Sequence, residues 1–270
     1  MLAQKVLPPV HPNVGLEMEY TRKLEALIEA MHKSIMWWVL AGYKANTPNT
    51  VMALDDSSAV QLEKIIKRLT RYWQKHFNEA AKKLGRYFAK KSTQQTDNSL
   101  ESILKASGFA IKFKTSPAQN DVLQATTKAN VALITNMSQQ HLKEITGMVM
   151  RSVQTGRDIG GLAKDLEERF DMTKKRARFI ARDQNNKATA AITKVRQNEL
   201  GIDEADWLHS HAGKVPRPTH VAMNGKRYKV NQGMWDKDAD GKGKGRYVYP
   251  GELINCRCVP RSIIRALGIR

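Results

Sequence analysis

Cysteine is scarce in this chain of 270 residues, and the chain also lacks a long apolar run. Two cysteines exclude a secreted fold held together by several disulfides. The most apolar stretch, residues 35–41, is far shorter than the roughly 20 apolar residues of a transmembrane helix. Residues 1–15 contain three prolines and no apolar signal region. We therefore expect synthesis in a reducing cytoplasm and no targeting or membrane-spanning segment.

Acidic residues are also under-represented, so the chain is strongly basic. Lys and Arg number 45 against 26 Asp and Glu, which gives a net charge of +19. Residues 1–150 hold 20 basic and 12 acidic residues, and residues 151–270 hold 25 and 14, so the excess is spread along the chain. This distribution favours a protein that contacts a polyanionic partner. Nucleic acid is the commonest such partner, and an anionic membrane or an acidic protein would also fit.

Hydrophobic periodicity predicts a mostly helical protein. After a proline-rich extended arm over residues 1–14, apolar spacings of three and four predict helices over residues 16–43, 57–91, 97–107, 116–153, 158–170 and 174–200. The predicted caps are Ser57 or Ser58, Ser116, Asp158 and Thr173 at the helix starts, and Gly201 at the last helix end. Residues 44–56 are predicted to be a loop.

Beyond Gly201, short β-prone segments replace the helical pattern. Strands are predicted over residues 205–209, 226–230, 246–249 and 256–263. The sequence thus predicts an α+β fold that is predominantly α-helical, with long N-terminal helices and a small C-terminal α+β domain. We place the helical part at residues 1–155 and the α+β part at residues 156–270.

The helix predicted over residues 57–91 carries a row of cations opposite its apolar face. The cations repeat two residues after the apolar positions, which is about 200° around a helix. We call them the basic stripe: Lys64, Arg68, Arg71, Lys75, Lys82, Arg86 and Lys90. They form either a solvated helix face or a surface for an anionic partner, and the scarcity of acidic neighbours for i,i+4 pairing favours the partner. Arg178 and Arg182 are two further candidate phosphate contacts.

Five short motifs follow one another between residues 178 and 258. In order they are Arg178-x-x-x-Arg182-Asp183-Gln184, Trp207-Leu-His209-Ser-His211, Arg217-x-x-His220-x-x-x-Asn224-Gly225, Tyr249-Pro250-Gly251-Glu252 and Asn255-Cys256-Arg257-Cys258. No single motif is specific. Together, in this order, they resemble the phage Mu F-like minor head protein family, also called the phage head morphogenesis family, over roughly the last hundred residues.

The resemblance implies a minor capsid protein of a tailed bacteriophage. Such a protein would be made in the host cytoplasm and would lie inside the virion head near the portal vertex. It would act in procapsid assembly and in DNA packaging or delivery. The implied partners are the portal protein, the major capsid or scaffolding protein, and viral double-stranded DNA, and a membrane is not among them. The resemblance implies neither an enzyme nor a required cofactor.

The histidines and cysteines of the motifs also fit structural zinc. On a strand, Cys256 and Cys258 would face one side, and so would His209 and His211. With His220 they offer five nitrogen or sulfur donors, and tetrahedral zinc needs four. The alternative is that the cysteines pack in the core and the histidines satisfy backbone groups.

Two enzymatic interpretations stay open beside these. Cys256 or Cys258 with His220 would form a nucleophile pair, and His220, His209 and Arg217 would form a ribonuclease-like site. The protein would then be a phage-delivered nuclease or thiol-dependent hydrolase. Gly225 is expected to provide the positive φ of a hairpin turn, and Pro250 with Gly251 a second turn.

Overall fold

Among the described residues, four long helices lie before Gly201 and most of the short strands lie after it. The computed structural model describes residues 4–45, 58–155, 158–212, 215–241 and 243–265. The helices are α1 Val14–Ala45, α2 Ser58–Ala106, α3 Pro117–Gln154, α4 Ile159–Glu199 and α5 Pro218–Met223. The strands are β1 Gln4–Val6, β2 Glu204–Leu208, β3 Arg227–Lys229, β4 Met234–Asp236, β5 Arg246–Val248 and β6 Val259–Arg265. The predicted fold class, α+β and predominantly helical, is confirmed.

The strands form two antiparallel sheets. The larger sheet has the order β1-β6-β2-β3, and the smaller one pairs β4 with β5. In the larger sheet β2 pairs with β6 from Glu204↔Ile263 to Leu208↔Val259. The predicted extended arm contains β1, which lies at the edge of the larger sheet and pairs with β6. Prolines are tolerated beside an edge strand because its outer side forms no hydrogen bonds with another strand.

Helices α1 and α3 match the predicted segments closely. Ser116 caps α3 as predicted, because its Oγ accepts a hydrogen bond from the backbone N–H of Gln119 at 3.1 Å. Gly201 ends α4 with a φ of 64°, and the N–H of Ile202 donates to the Gln197 carbonyl at 2.9 Å. This is the left-handed C-cap that the sequence predicted. The predicted loop 44–56 falls largely outside the described residues.

Two predicted helix breaks are wrong. α2 runs without interruption through residues 92–96, and α4 runs through residue 173. Thr93 Oγ1 donates to the Ala89 carbonyl at 3.0 Å, and Thr173 Oγ1 donates to the Arg169 carbonyl at 2.9 Å. Because each hydroxyl bonds to the carbonyl four residues earlier, these buried threonines stay helical instead of capping a new helix.

The strand predicted over residues 256–263 begins three residues late, at Val259. Cys256 and Cys258 therefore lie before the strand, in a turn in which Asn255 has a φ of 58°. The strand premise of the prediction is therefore wrong, although both thiols do face one side, towards His220. Gly225 does have a positive φ of 75°, but it follows α5 rather than joining two strands. The turn predicted at Pro250 and Gly251 is present, with a φ of 84° at Gly251.

The chain forms two compact units, each built from separated segments. Unit 1 comprises Met1–Glu17, Tyr87–Thr127 and Ala181–Arg270, and unit 2 comprises Met18–Arg86 and Lys128–Ile180. These units interleave along the chain, whereas the division predicted at residues 155 and 156 separates two continuous segments. That division stays a prediction. In the part of the chain that the structure describes, no helix combines the length and apolar character needed to cross a bilayer.

Unit 1 contains both sheets and two apolar clusters. One cluster surrounds Trp207 and includes Tyr228 and Val248. The other joins Leu7 and Val10, just after β1, to Leu100 and Leu104 of α2.

A buried ion pair also joins distant segments of unit 1. The Arg196 guanidinium, 1% exposed, donates from Nε and Nη2 to the carboxylate of Asp97 at 2.8 and 2.7 Å. Its Nη1 reaches Glu199 at 2.6 Å and the Lys114 carbonyl at 3.1 Å. These contacts connect α4 to α2 and to the segment that precedes α3.

Candidate functional site

A buried histidine lies against both cysteines in unit 1. His220 Nδ1 is 3.4 Å from Cys256 Sγ and 3.7 Å from Cys258 Sγ. The three residues are 2%, 3% and 4% exposed, respectively. We call His220, Cys256 and Cys258 the His–Cys cluster. Their ligand atoms all lie within 4.8 Å of one another.

Short elements place these side chains. His220 lies in α5, a six-residue helix that begins with Pro218 directly after Arg217. Proline suits that first position because no helical N–H is needed there. The cysteines lie in the turn before β6, and the Asn255 N–H donates to Asp183 Oδ1 of α4 at 2.6 Å. A buried carboxylate on α4 therefore holds the turn that carries the thiols.

The cluster continues into a carboxylate that the sequence analysis missed. His220 Nε2 is 3.1 Å from Oδ2 of Asp236, a residue of β4 that is fully buried. The second oxygen of Asp236 accepts the N–H of Asp238 at 3.0 Å. Aspartates occupy positions 236, 238 and 240, and nothing in their spacing distinguishes the buried one from the others.

Cys256 accepts a hydrogen bond from a backbone N–H group. The Gly251 N–H donates to its Sγ at 3.4 Å. A hydrogen bond from the Cys258 thiol lowers the pKa of Cys256, and His220 contributes in the same direction. The same bond, with burial, raises the pKa of Cys258. The geometry thus favours a thiolate at Cys256.

His209 and His211 do not join the cluster. The chain leaves β2 at Leu208, and the φ of 52° at His211 ends the strand alternation on which the prediction rested. The His211 N–H donates to His209 Nδ1 at 3.2 Å, and the His209 N–H donates to the Asn224 side chain at 2.9 Å. Burial, and next the nearby His211, lower the pKa of His209. The structure therefore gathers three of the five predicted donors.

A cavity of about 230 Å³ leads to the cluster. His209, Arg217, Asn255 and Arg257 are among the residues that line it. Arg217 donates to the Ile254 carbonyl at 2.9 Å, and Arg257 donates to the Ala212 carbonyl at 2.6 Å. These two guanidinium groups hold the loops of the cavity wall. The ribonuclease-like trio of His220, His209 and Arg217 does share this one cavity.

A protein family matches the part of the chain that contains the His–Cys cluster. The matching family is described as Phage Mu protein F like protein, and the match covers residues 143–261. This segment matches the phage Mu F-like family that the five motifs predicted. All ten predicted family-motif residues lie inside it: Trp207, Arg217, His220, Gly225, Pro250, Gly251, Asn255, Cys256, Arg257 and Cys258. The matched family is one of structural phage head proteins.

Two relatives differ in how much of the chain they share. An uncharacterized protein of Haemophilus influenzae is 26% identical over 95% of this chain and 55% of its own length. The NAD(+)–arginine ADP-ribosyltransferase EFV of Enterococcus faecalis is 23% identical over 47% of this chain and 26% of its own length. The chain thus spans about half of the first relative and about a quarter of the second. No solved structure matches the chain.

Outside the Mu F-like segment, the structure exposes the whole basic stripe. All seven of its side chains are exposed along α2, whereas Leu62, Leu69 and Phe77 on the same helix are buried. Lys64 to Arg86 belong to unit 2 and Lys90 to unit 1. The predicted amphipathic pattern is therefore present, and its use as a binding surface stays a prediction.

The two further candidate arginines are engaged within the protein. In unit 2, Arg178 Nε donates to Glu25 at 2.5 Å. In unit 1, Arg182 Nη2 lies 3.5 Å from the Asn255 side-chain oxygen. Their predicted contact with phosphate stays a prediction.

Proposed function

We propose that this protein is a minor capsid protein that lies inside the phage head near the portal vertex. There it would act in procapsid assembly and in DNA packaging or delivery. Its partners would be the portal protein, the major capsid or scaffolding protein, and viral double-stranded DNA. The match of residues 143–261 to the phage Mu F-like family supports a role in the head. The observation that carries the contact with DNA is the exposure of the whole basic stripe.

The stripe has the form of a surface for a polyanion. Its six unit 2 cations, from Lys64 to Arg86, cover about 33 Å of helix at 1.5 Å per residue. Like charges at this spacing lie within about one Debye length at physiological salt, so they repel one another. Phosphates placed along the stripe would offset that repulsion and release counterions. An acidic surface of the portal would be recognised by the same charges.

Neutralising part of the stripe tests the contact with DNA. We expect the triple variant Lys75→Gln, Lys82→Gln, Arg86→Gln to bind double-stranded DNA more weakly than the parent protein. Its plot of log K against log salt should also be shallower, by about 0.9 for each phosphate that the variant no longer neutralises. Equilibrium binding measured at several salt concentrations gives both quantities.

The matched control removes three charges elsewhere. Lys105, Lys143 and Lys164 are exposed and lie outside the stripe, so their triple change to Gln alters the net charge equally. If both triple variants lose the same affinity and slope, the stripe is not the binding surface. The position in the particle is checked by reconstructing the head without imposed symmetry. Absence of this chain from the unique vertex would contradict the proposed location.

One observation favours a second function, that of a thiol-dependent hydrolase. The Cys256 thiol contacts the His220 imidazole, and that imidazole contacts the buried carboxylate of Asp236. A nucleophile, its base and the group that orients the base are arranged in this order. The second thiol against the same imidazole nitrogen has no part in such a mechanism. A hydrolase would need Cys256 and not Cys258, whereas a metal site would need both, so single serine variants of the two cysteines separate the two functions.

A further inference from the structure

We propose that the His–Cys cluster binds one zinc ion through His220 Nδ1, Cys256 Sγ and Cys258 Sγ. The fourth coordination position faces the cavity and takes a water molecule. This inference concerns the chemistry of the cluster alone, and it holds whether or not the basic stripe binds DNA.

The distances in the cluster are those of a tetrahedral site. Zinc bonds of about 2.3 Å to sulfur and about 2.0–2.1 Å to nitrogen place the two donor atoms about 3.5 Å apart at the tetrahedral angle. The observed separations between His220 Nδ1 and the two sulfurs are 3.4 and 3.7 Å. One metal ion bound by all three atoms accounts for both separations.

The buried carboxylate supplies the outer contact that metal-bound histidines require. Asp236 accepts a hydrogen bond from His220 Nε2–H at 3.1 Å, which leaves the lone pair of Nδ1 directed at the sulfurs. Asp236 is fully buried, and its other oxygen accepts the N–H of Asp238. A carboxylate is rarely buried so completely unless it is paired. Its position fixes both the tautomer and the orientation of the ring.

A backbone N–H beside the cluster fits a thiolate ligand. The Gly251 N–H donates to Cys256 Sγ at 3.4 Å. Such a donor stabilises negative charge on that sulfur, and contacts around the ligands tune a metal site. Two thiolates and one Zn²⁺ are neutral together, which suits a site whose three ligands are almost completely buried.

The cavity provides the open position. At about 230 Å³ it holds several water molecules, and it reaches all three ligands. Three protein ligands with an exchangeable fourth are the arrangement in which zinc also activates water. Structural stabilisation is the use that the surroundings support directly, because the ligands come from α5 and from the turn before β6. Zinc would therefore join these two elements.

Metal analysis of the untagged full-length protein tests the site. We expect about one zinc per chain after exposure to excess zinc and removal of the unbound metal. With cobalt in place of zinc, we expect the thiolate-to-metal charge-transfer absorption of tetrahedral sites. A zinc content near zero under these conditions would overturn the proposal.

Single variants identify the ligands. Cys256→Ser and Cys258→Ser should each lose zinc and the cobalt absorption, whereas a hydrolase would tolerate the second change. Asp236→Asn should lower zinc affinity about 10- to 100-fold while the site still forms. His76→Ala removes an exposed histidine of α2 and should leave the zinc content unchanged. Full zinc content in either serine variant would contradict the ligand assignment.

If the serine variants fail to fold, the parent protein itself still provides a test of zinc binding. In the parent protein, chelator titration should release zinc and make both thiols reactive towards an alkylating reagent, and added zinc should restore their protection. Thiols that react equally with and without zinc would overturn the site, whatever the variants do.

Discussion

At the scale of single residues, His141 shows how burial makes stability depend on pH. It is fully buried in unit 2, and its Nδ1 lies 2.8 Å from Thr173 Oγ1. Thr173 donates its own hydrogen to the Arg169 carbonyl, so its oxygen accepts and Nδ1 carries the proton. Nε2 has no partner among the described residues. Burial lowers the pKa of His141 to about 3, and the charges of Arg169 and His32 act in the same direction.

The sign of the pH effect follows from this pKa. An unfolded histidine titrates near pH 6.5, so between about pH 6.5 and 3 the unfolded chain binds a proton that folded His141 does not. Its contribution to stability is complete above about pH 6.5 and falls as the pH falls. Between pH 7 and 4.5 this one residue should cost about 2–3 kcal/mol.

His141→Asn should remove that dependence, because asparagine keeps a donor near Thr173 and does not titrate. We expect urea unfolding of the variant to show a smaller loss of free energy from pH 7 to 4.5 than the parent protein shows. The variant need not be more stable at pH 7, since only the difference between the two pH values is compared. Equal losses in both proteins would show that His141 is protonated in the folded state or plays no part.

At the scale of elements, amphipathic periodicity predicted the long helices, and capping signals misplaced their interruptions. Ser116 and Gly201 act as caps because each lies at the end of a helix. The Ser116 hydroxyl accepts an N–H of the first turn of α3, and Gly201 adopts the positive φ that ends α4. Thr173 has the same capping chemistry but is buried against His141 in mid-helix. Tertiary contact decides between these outcomes, and a local pattern does not contain it.

The candidate site was predictable only where its residues lie in the five motifs. The Cys-x-Cys spacing and His220 were found from the sequence, although the strand argument used for the cysteines was wrong. Asp236 was not found, because its approach to α5 depends on how the β4–β5 hairpin packs. His209 and His211 were included because strand alternation was assumed beyond Leu208, where β2 in fact ends.

Gly251 is the point at which a turn of the site meets a helix. Its φ is 84°, and an added Cβ would lie 2.8 Å from Ala190 Cβ and 3.4 Å from the Asn186 carbonyl of α4. We expect Gly251→Ala to lower the free energy of unfolding by more than the roughly 1–3 kcal/mol of backbone strain alone. It should also weaken zinc binding, because the Gly251 N–H donates to Cys256.

Gly241→Ala is the matched control for this prediction. Gly241 also has a positive φ, 66°, but an added Cβ would meet nothing within 4 Å. Chemical unfolding of both variants therefore separates the cost of φ from the cost of contact with α4. Equal losses of stability would show that the close approach of the turn to α4 contributes nothing.

At the scale of the whole molecule, unit 1 depends on segments that are far apart in the sequence. β1 pairs with β6, and Leu7 packs with Leu100 and Leu104. Arg196 of α4 reaches Asp97 of α2. The match to the phage Mu F-like family covers residues 143–261 and so includes only part of this assembly.

We therefore expect that the isolated segment 156–270 does not fold cooperatively, although the sequence predicts it to be a domain. Without residues 1–17 and 87–127, β6 would lose its β1 partner, Ile264 and Leu200 would lose the apolar cluster around Leu7, and Arg196 would lose Asp97. A small domain is stable by only about 5–15 kcal/mol, so losing these contacts together removes a large share of its stability. We expect the fragment to show no sharp thermal transition and rapid hydrogen exchange in β2 and β6.

If the fragment is insoluble, the variant Leu7→Ala in the full chain tests the same contacts. We expect it to lower the free energy of unfolding by about 2–5 kcal/mol and to speed hydrogen exchange in β6. A fragment with protected strands and a cooperative transition would show that residues 156–270 are a folding unit in their own right.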